Sequence, residues 1–102
     1  MGYPATYYVI PEHHIYLSDD RTELIFDQHL PLVRKEDLNV EVLEKSICVD
    51  FKAEGKEPVA RCYALPYQVE PDTAAGEFKD HMLRIRVAIA EELASGKRVD
   101  LG

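Results

Sequence analysis

The chain has 102 residues, a formal net charge of -7 and a pI near 5.0, which suits one acidic domain. A nucleic-acid backbone would be repelled unless the 12 basic residues gathered on one face, and the sequence shows no such gathering. No cationic segment with a long apolar run opens the chain, and no stretch approaches the roughly 18 apolar residues of a membrane span. We therefore expect a soluble, cytoplasmic protein with no nucleic-acid or membrane partner.

Apolar and polar residues alternate along most of the chain, which predicts half-buried β-strands. In chain order, the predicted strands cover residues 6–10, 15–17, 23–30, 38–42, 47–52, 59–65 and 82–89. Residues 44–46 predict a tight hairpin, and Pro66 ends the sixth strand because proline cannot donate to a ladder. In the strand at 23–30, we expect one face, carrying Leu24, Phe26, Gln28 and Leu30, to point inward.

Two segments favour turns rather than strands. Residues 71–76 predict a short helical turn with Asp72 as its N-cap, and residues 88–94 predict a frayed turn before a tail. Strands joined by such short connections predict two antiparallel sheets packed face to face. The expected organisation is an extension at 1–12, a β-sandwich at 13–90 and a tail at 91–102.

No motif for catalysis or metal binding emerges. There is no glycine-rich phosphate loop, and the histidines are paired only as His13–His14 or isolated. Cys48 and Cys62 lie in neighbouring predicted strands, so pairing is conceivable, but two cysteines without metal spacing in a cytosolic chain favour reduced thiols. We expect no enzyme, cofactor, catalytic residue or metal ligand, and keep a metal or thiol enzyme using His13, His14 or Cys62 as the remote alternative.

Three motifs in order carry a family resemblance. They are Leu30-Pro31-Leu32-Val33 with Lys35-Glu36-Asp37-Leu38, then Arg61-x-Tyr63-x-Leu65-Pro66, then Ala75-x-x-Phe78-x-x-x-Met82-Leu83. This order resembles the α-crystallin domain of small heat-shock proteins over roughly residues 15 to 101. The resemblance implies an all-β fold, a two-sheet antiparallel β-sandwich of immunoglobulin-like α-crystallin type with about seven or eight strands.

The chain departs from the family pattern at three places. Leu32 stands where the family usually has glycine, which is tolerable if the local φ is negative. Asp80 and His81 replace Asn-Gly in a turn that favours positive φ. The link from Phe51 to Val59 is too short to carry the swapped strand of many members, so large oligomers of the usual kind are not expected.

The resemblance also implies a function and its residues. An ATP-independent holdase would bind unfolding client proteins in a groove lined by Leu38, Val40, Val42, Ala75, Phe78 and Leu83. Arg61 would be an interface arginine in a homodimer. Val99 and Leu101 have the apolar-x-apolar spacing of a C-terminal anchor that docks on a neighbour.

The compact size and the short loop also resemble the CS domain of co-chaperones. That alternative implies a non-enzymatic adaptor docking on a larger chaperone or ATPase, with no client holding of its own. The Leu65-Pro66 ending and the Phe78 to Met82-Leu83 hairpin favour the α-crystallin resemblance.

Overall fold

The computed structural model describes residues 11–90 and 99–102. Within these ranges the chain forms β1 (His13–Leu17), β2 (Glu23–His29), β3 (Val33–Val42), β4 (Ser46–Ala53), β5 (Val59–Ala64), a short 3-10 helix (Pro71–Thr73), β6 (Ala75–Lys79) and β7 (Met82–Ala88). The predicted strand at 6–10 and most of the predicted turn at 88–94 lie outside the described residues. No helix of the described part is long and apolar enough to cross a membrane.

The strands form two antiparallel sheets. Sheet A has the order β1-β2-β7-β6, and sheet B has the order β3-β4-β5. The chain crosses between the sheets at residues 65–70, where Val69 N donates to Glu44 O in the β3–β4 turn and Glu70 N donates to Ala88 O of sheet A. The predicted all-β, two-sheet sandwich is confirmed.

The core lies between the sheets, and central strands supply most of it. Leu24, Phe26 and Gln28 of β2 are fully buried on the inner face, as is Leu30 just beyond it, so the predicted inward face is confirmed. Across the core from β2, β4 contributes Ile47, Val49 and Phe51. Beside β2 in the same sheet, β7 contributes Leu83, Ile85 and Val87. Burial of these alternating side chains is the main stabilising term of such a sandwich.

Most strand boundaries differ from the sequence prediction by one or two residues, β6 was not among the predicted strands, and two other differences are larger. β3 begins at Val33 instead of Leu38, with a register shift against β4 between these two residues. The helical turn covers only Pro71–Thr73 and its N-cap is Glu70, so the prediction of Asp72 as N-cap is wrong. Proline at the first helical position starts the turn two residues earlier than Asp72 would allow.

The expectation of reduced thiols is also wrong, because Cys48 and Cys62 form a disulfide. They are direct partners in the β4–β5 ladder, with Cα atoms 4.0 Å apart. Leu65 N donates to Lys45 O in the same ladder, and antiparallel pairs alternate between hydrogen-bonded and non-hydrogen-bonded positions. The cysteines therefore occupy a non-hydrogen-bonded pair, where side chains lie closest together.

At three positions where the sequence departs from the family motifs, the backbone has the positive φ that glycine or asparagine adopts most easily. Leu32 has φ 66°, so the condition of a negative φ, under which a leucine would be tolerable there, is not met. Asp80 (φ 51°) and His81 (φ 63°) both have the positive φ expected for the β6–β7 turn. Motif backbone thus persists even where the favoured glycine is absent.

Candidate functional site

An open groove runs between the two sheets on one side of the sandwich. It lies where β3, an edge strand of sheet B, comes beside β6, an edge strand of sheet A. The groove has a volume of about 340 Å³. Its lining residues are Lys35, Leu38, Val40, Val42, Ala74, Ala75, Gly76, Glu77, Phe78, Leu83 and Ile85.

All six residues that the sequence assigned to a groove line this one. Leu38, Val40 and Val42 come from alternate positions of β3 and are half-buried against the core. Leu83 is buried and forms part of the floor, while Phe78 is half-buried and Ala75 lies exposed on β6. The fold brings the predicted set together, and its role in binding stays a prediction.

Gly76 and Ile85 are two lining residues that sequence reasoning missed. They are direct partners across β6 and β7, and a Cβ atom built on Gly76 would lie 2.6 Å from Ile85 Cδ1. A side chain at position 76 would therefore force the Ile85 Cδ1 methyl to move. Glycine inside a strand signals such a close approach, but the sequence analysis placed position 76 at the end of a predicted helical turn.

The opposite side of the sandwich is closed by aromatic side chains. The ring centroids of His13 on β1 and Tyr63 on β5 lie 4.0 Å apart, and those of Phe26 and Tyr63 lie 5.4 Å apart. Gln28 Nε2 donates hydrogen bonds to Tyr63 OH (3.1 Å) and Pro11 O (3.0 Å). This plug between β1 and β5 leaves the β3–β6 side as the open one.

The residues of the alternative enzyme hypothesis are not brought together. His13 belongs to the aromatic plug, and Cys62 is bonded to Cys48 and so has no free thiolate for nucleophilic attack. Across residues 11–90 and 99–102, no three side chains of the His, Cys, Asp and Glu types group as a metal site.

A charged cluster on the outer face of sheet A links β1 and β2 to β7, the strand that carries Leu83 and Ile85 of the groove. Arg84 of β7 donates two hydrogen bonds to Asp27 of β2, Nε to Oδ1 (2.7 Å) and Nη2 to Oδ2 (2.9 Å). Tyr16 OH on β1 donates to Asp27 Oδ2 at 2.7 Å. The Arg84 hydrogen bonds hold the pKa of Asp27 below its ordinary value, and donation to Asp27 raises the pKa of Tyr16.

The remaining predicted site residues lie away from the groove. Arg61 is exposed on the edge strand β5 and forms no ion pair with any residue that the structure describes. Val99 and Leu101 are 68% and 95% exposed in irregular chain. Their roles as interface arginine and C-terminal anchors stay predictions.

Comparison with solved structures gives consistent matches to small heat-shock proteins. Heat shock protein 16.0 from Schizosaccharomyces pombe superposes with a TM-score of 0.71 at 16% identity, covering 93% of this chain and 100% of that chain. A small heat-shock protein from Xylella fastidiosa gives 0.65 at 16% identity, covering 96% and 99%. HspA from Xanthomonas axonopodis gives 0.66 at 15% identity, covering 82% and 97%.

No protein-family model matches the sequence, and no curated protein matches it significantly. The likeness therefore lies in the arrangement of strands, at identities where the sequences have largely diverged. Both sheets take part, since the match to the S. pombe protein spans nearly the whole chain. The chain has the fold of the small heat-shock proteins, an α-crystallin-type β-sandwich.

Proposed function

We propose that this protein is an ATP-independent holdase that binds apolar segments of unfolding client proteins in the groove between β3 and β6. The observation that carries the proposal is the open apolar strip between two edge strands, at the residues that the family resemblance assigned. The structural matches to small heat-shock proteins support the same function. The proposed activity of the protein is binding alone, with no cofactor and no catalytic residue.

The geometry suits an extended segment. An edge strand presents unpaired backbone N–H and C=O groups, to which an added strand can hydrogen-bond. Side chains at alternate positions of that strand would then face Leu38, Val40 and Val42, which repeat with the same period. Backbone pairing gives affinity for many sequences, and the apolar strip selects segments that a folded protein keeps buried.

The same mode of binding, an extended segment in the groove, predicts how copies of the chain assemble. Val99 and Leu101 are two residues apart and exposed, so the tail of a neighbouring copy can occupy the groove as an apolar-x-apolar segment. We propose a homodimer with Arg61 on the β5 edge at the interface, and a cytoplasmic location. The domain limits proposed are an extension at 1–12, the sandwich at 13–90 and a tail at 91–102.

A light-scattering assay with a heat-labile client tests the holdase function. The unaltered chain is expected to slow aggregation at substoichiometric amounts. Val40→Asp places a charge in the groove, and because a charged side chain opposes apolar docking, suppression should fall about tenfold or more. Asn39→Asp adds the same charge on the exposed outer face of the same strand and should leave suppression unchanged.

Thermal unfolding of both variants shows whether each remains folded, and Val40→Thr replaces Val40→Asp if the latter does not fold. Equal activity of the Val40 and Asn39 variants would contradict the groove as the client site. Failure of the unaltered chain at every temperature would contradict the holdase function and leave the CS-type adaptor. The matched structures, which are small heat-shock proteins, do not favour that adaptor.

A further inference from the structure

We propose that the Cys48–Cys62 disulfide is a reversible thiol–disulfide exchange site that controls how firmly the edge strand β5 is held on the sandwich. Its reaction partner is a low-molecular-weight thiol of the glutathione class, or the dithiol of a reductase. The inference stands apart from client binding, because it concerns the opposite edge of sheet B and has its own readout.

The disulfide is open to attack. Cys62 is exposed and Cys48 is half-buried on the outer face of sheet B, away from the inter-sheet core. The two neighbours of Cys62 on that face of β5 are Ala60 and Ala64, both exposed. Small neighbours leave a direct approach to the Cys62 sulfur, whereas structural disulfides are commonly buried and resist reduction.

The position of the bond gives it a mechanical role. Among the described residues, β5 pairs only with β4 and forms an edge of sheet B. The inner face of β5 carries Val59 and Tyr63, which pack against the main core cluster, and Tyr63 belongs to the aromatic plug. The disulfide is the covalent tie between β5 and β4, so opening it leaves β5 held by its ladder and these side chains alone.

Opening the disulfide by thiol exchange is a two-electron reduction of the protein by two small thiols. A thiolate attacks Cys62 Sγ, a mixed disulfide forms with Cys62, and Cys48 leaves as a thiolate that takes a proton from water. A second thiolate attacks the mixed disulfide on the sulfur of the small molecule, which releases Cys62 and the oxidised dimer of the thiol. Two small thiols are oxidised to one disulfide, and the protein gains two thiols.

A sensing role for the bond rests on the cytoplasmic location proposed above, because disulfides in such a reducing compartment are usually transient, catalytic or redox-sensing. An exposed bond on an edge strand suits the sensing class, since its opening changes one strand without removing a core residue. The neighbours of this bond on the same face are the cross-strand pairs Ser46–Ala64 and Asp50–Ala60, and Glu41 of β3 lies directly opposite Cys48. The structure therefore favours a regulatory role.

Glutathione buffers of graded composition, applied to the full chain, test the proposal. Thiol alkylation read by mass spectrometry should show no free thiol in excess oxidised glutathione, two free thiols in millimolar reduced glutathione, and closure on return. Hydrogen exchange should accelerate about tenfold or more at the amides of β5 on reduction, and stay unchanged in β2 and β7.

The double variant Cys48→Ser with Cys62→Ser is the control, and its β5 amides should exchange fast in both buffers. The single variant Cys48→Ser should take up glutathione on Cys62 faster than Cys62→Ser takes it up on Cys48. A disulfide that resists millimolar glutathione, one that never forms, or exchange that rises equally in both sheets would each overturn the proposal.

Discussion

At the scale of single residues, Leu32 shows how the fold can dominate a local preference. Its φ of 66° is a left-handed conformation that costs a leucine about 1 to 2 kcal/mol. The side chain is 59% exposed, so little burial offsets that cost. The surrounding ladder holds the conformation, since Glu54 N donates to Leu32 O.

Leu32→Gly is therefore expected to stabilise the protein, by about 0.5 to 1 kcal/mol after the extra freedom of glycine in the unfolded chain is subtracted. Urea unfolding measures the change. Leu43→Gly is the matched control, because Leu43 is 42% exposed and has no positive φ, and it should destabilise the protein. Destabilisation of similar size in both variants would show that position 32 carries no backbone strain.

The motif identified the place of Leu32 in the chain, but it could not give the sign of φ there. The motif indicates where the chain turns, but the φ angle of Leu32 depends on how the strands on either side of it pair. The same reasoning succeeded at Asp80 and His81, because a two-residue hairpin loop requires positive φ whatever residues occupy it.

At the scale of strands, the pairing of β2 with β7 is reinforced by Asp27 and Arg84, which are direct cross-strand partners. Because the pKa of Asp27 is lower in the folded state, the ion pair contributes stability above the ordinary aspartate pKa. That contribution is lost as the pH falls through the folded-state pKa.

Asp27→Asn should lower the free energy of unfolding by about 1 to 2 kcal/mol near neutral pH. A larger loss is not expected, because the Arg84 side chain is 38% exposed and solvent screens the pair. Urea unfolding between about pH 7 and pH 3 should show the difference from the unaltered chain shrinking below about pH 4. Asp50→Asn, an exposed carboxylate on sheet B, is the control, and a pH-independent loss in Asp27→Asn would contradict the ionic contribution.

The alternation of residues predicted most strands, but it could not predict how they pair. The bulge that lets β3 begin at Val33 interrupts the pattern, so the sequence placed the start at Leu38. The disulfide was missed for a similar reason, since only the register of β4 against β5 shows that Cys48 faces Cys62 at a non-hydrogen-bonded pair.

In the whole molecule, the two sides of the sandwich, where an edge strand of one sheet lies beside an edge strand of the other, differ. The β1–β5 side is filled by the rings of His13, Phe26 and Tyr63, whereas the β3–β6 side leaves an apolar groove. Alternation alone cannot predict this difference, because it separates inner from outer faces but does not place the two sheets against each other. The family resemblance supplied the six groove residues. It missed Gly76 and Ile85, because only the structure shows how closely these two residues approach each other.

Binding of an extended apolar segment of an unfolding protein in the groove between β3 and β6 should protect the amides there. Hydrogen exchange of the full chain is measured with and without a heat-labile client, at the temperature where the client unfolds. We expect slower exchange at the edge amides of β3 and β6, with β1 and β5 unchanged. Protection confined to the β1–β5 side, or client binding without protection at β3 and β6, would contradict it.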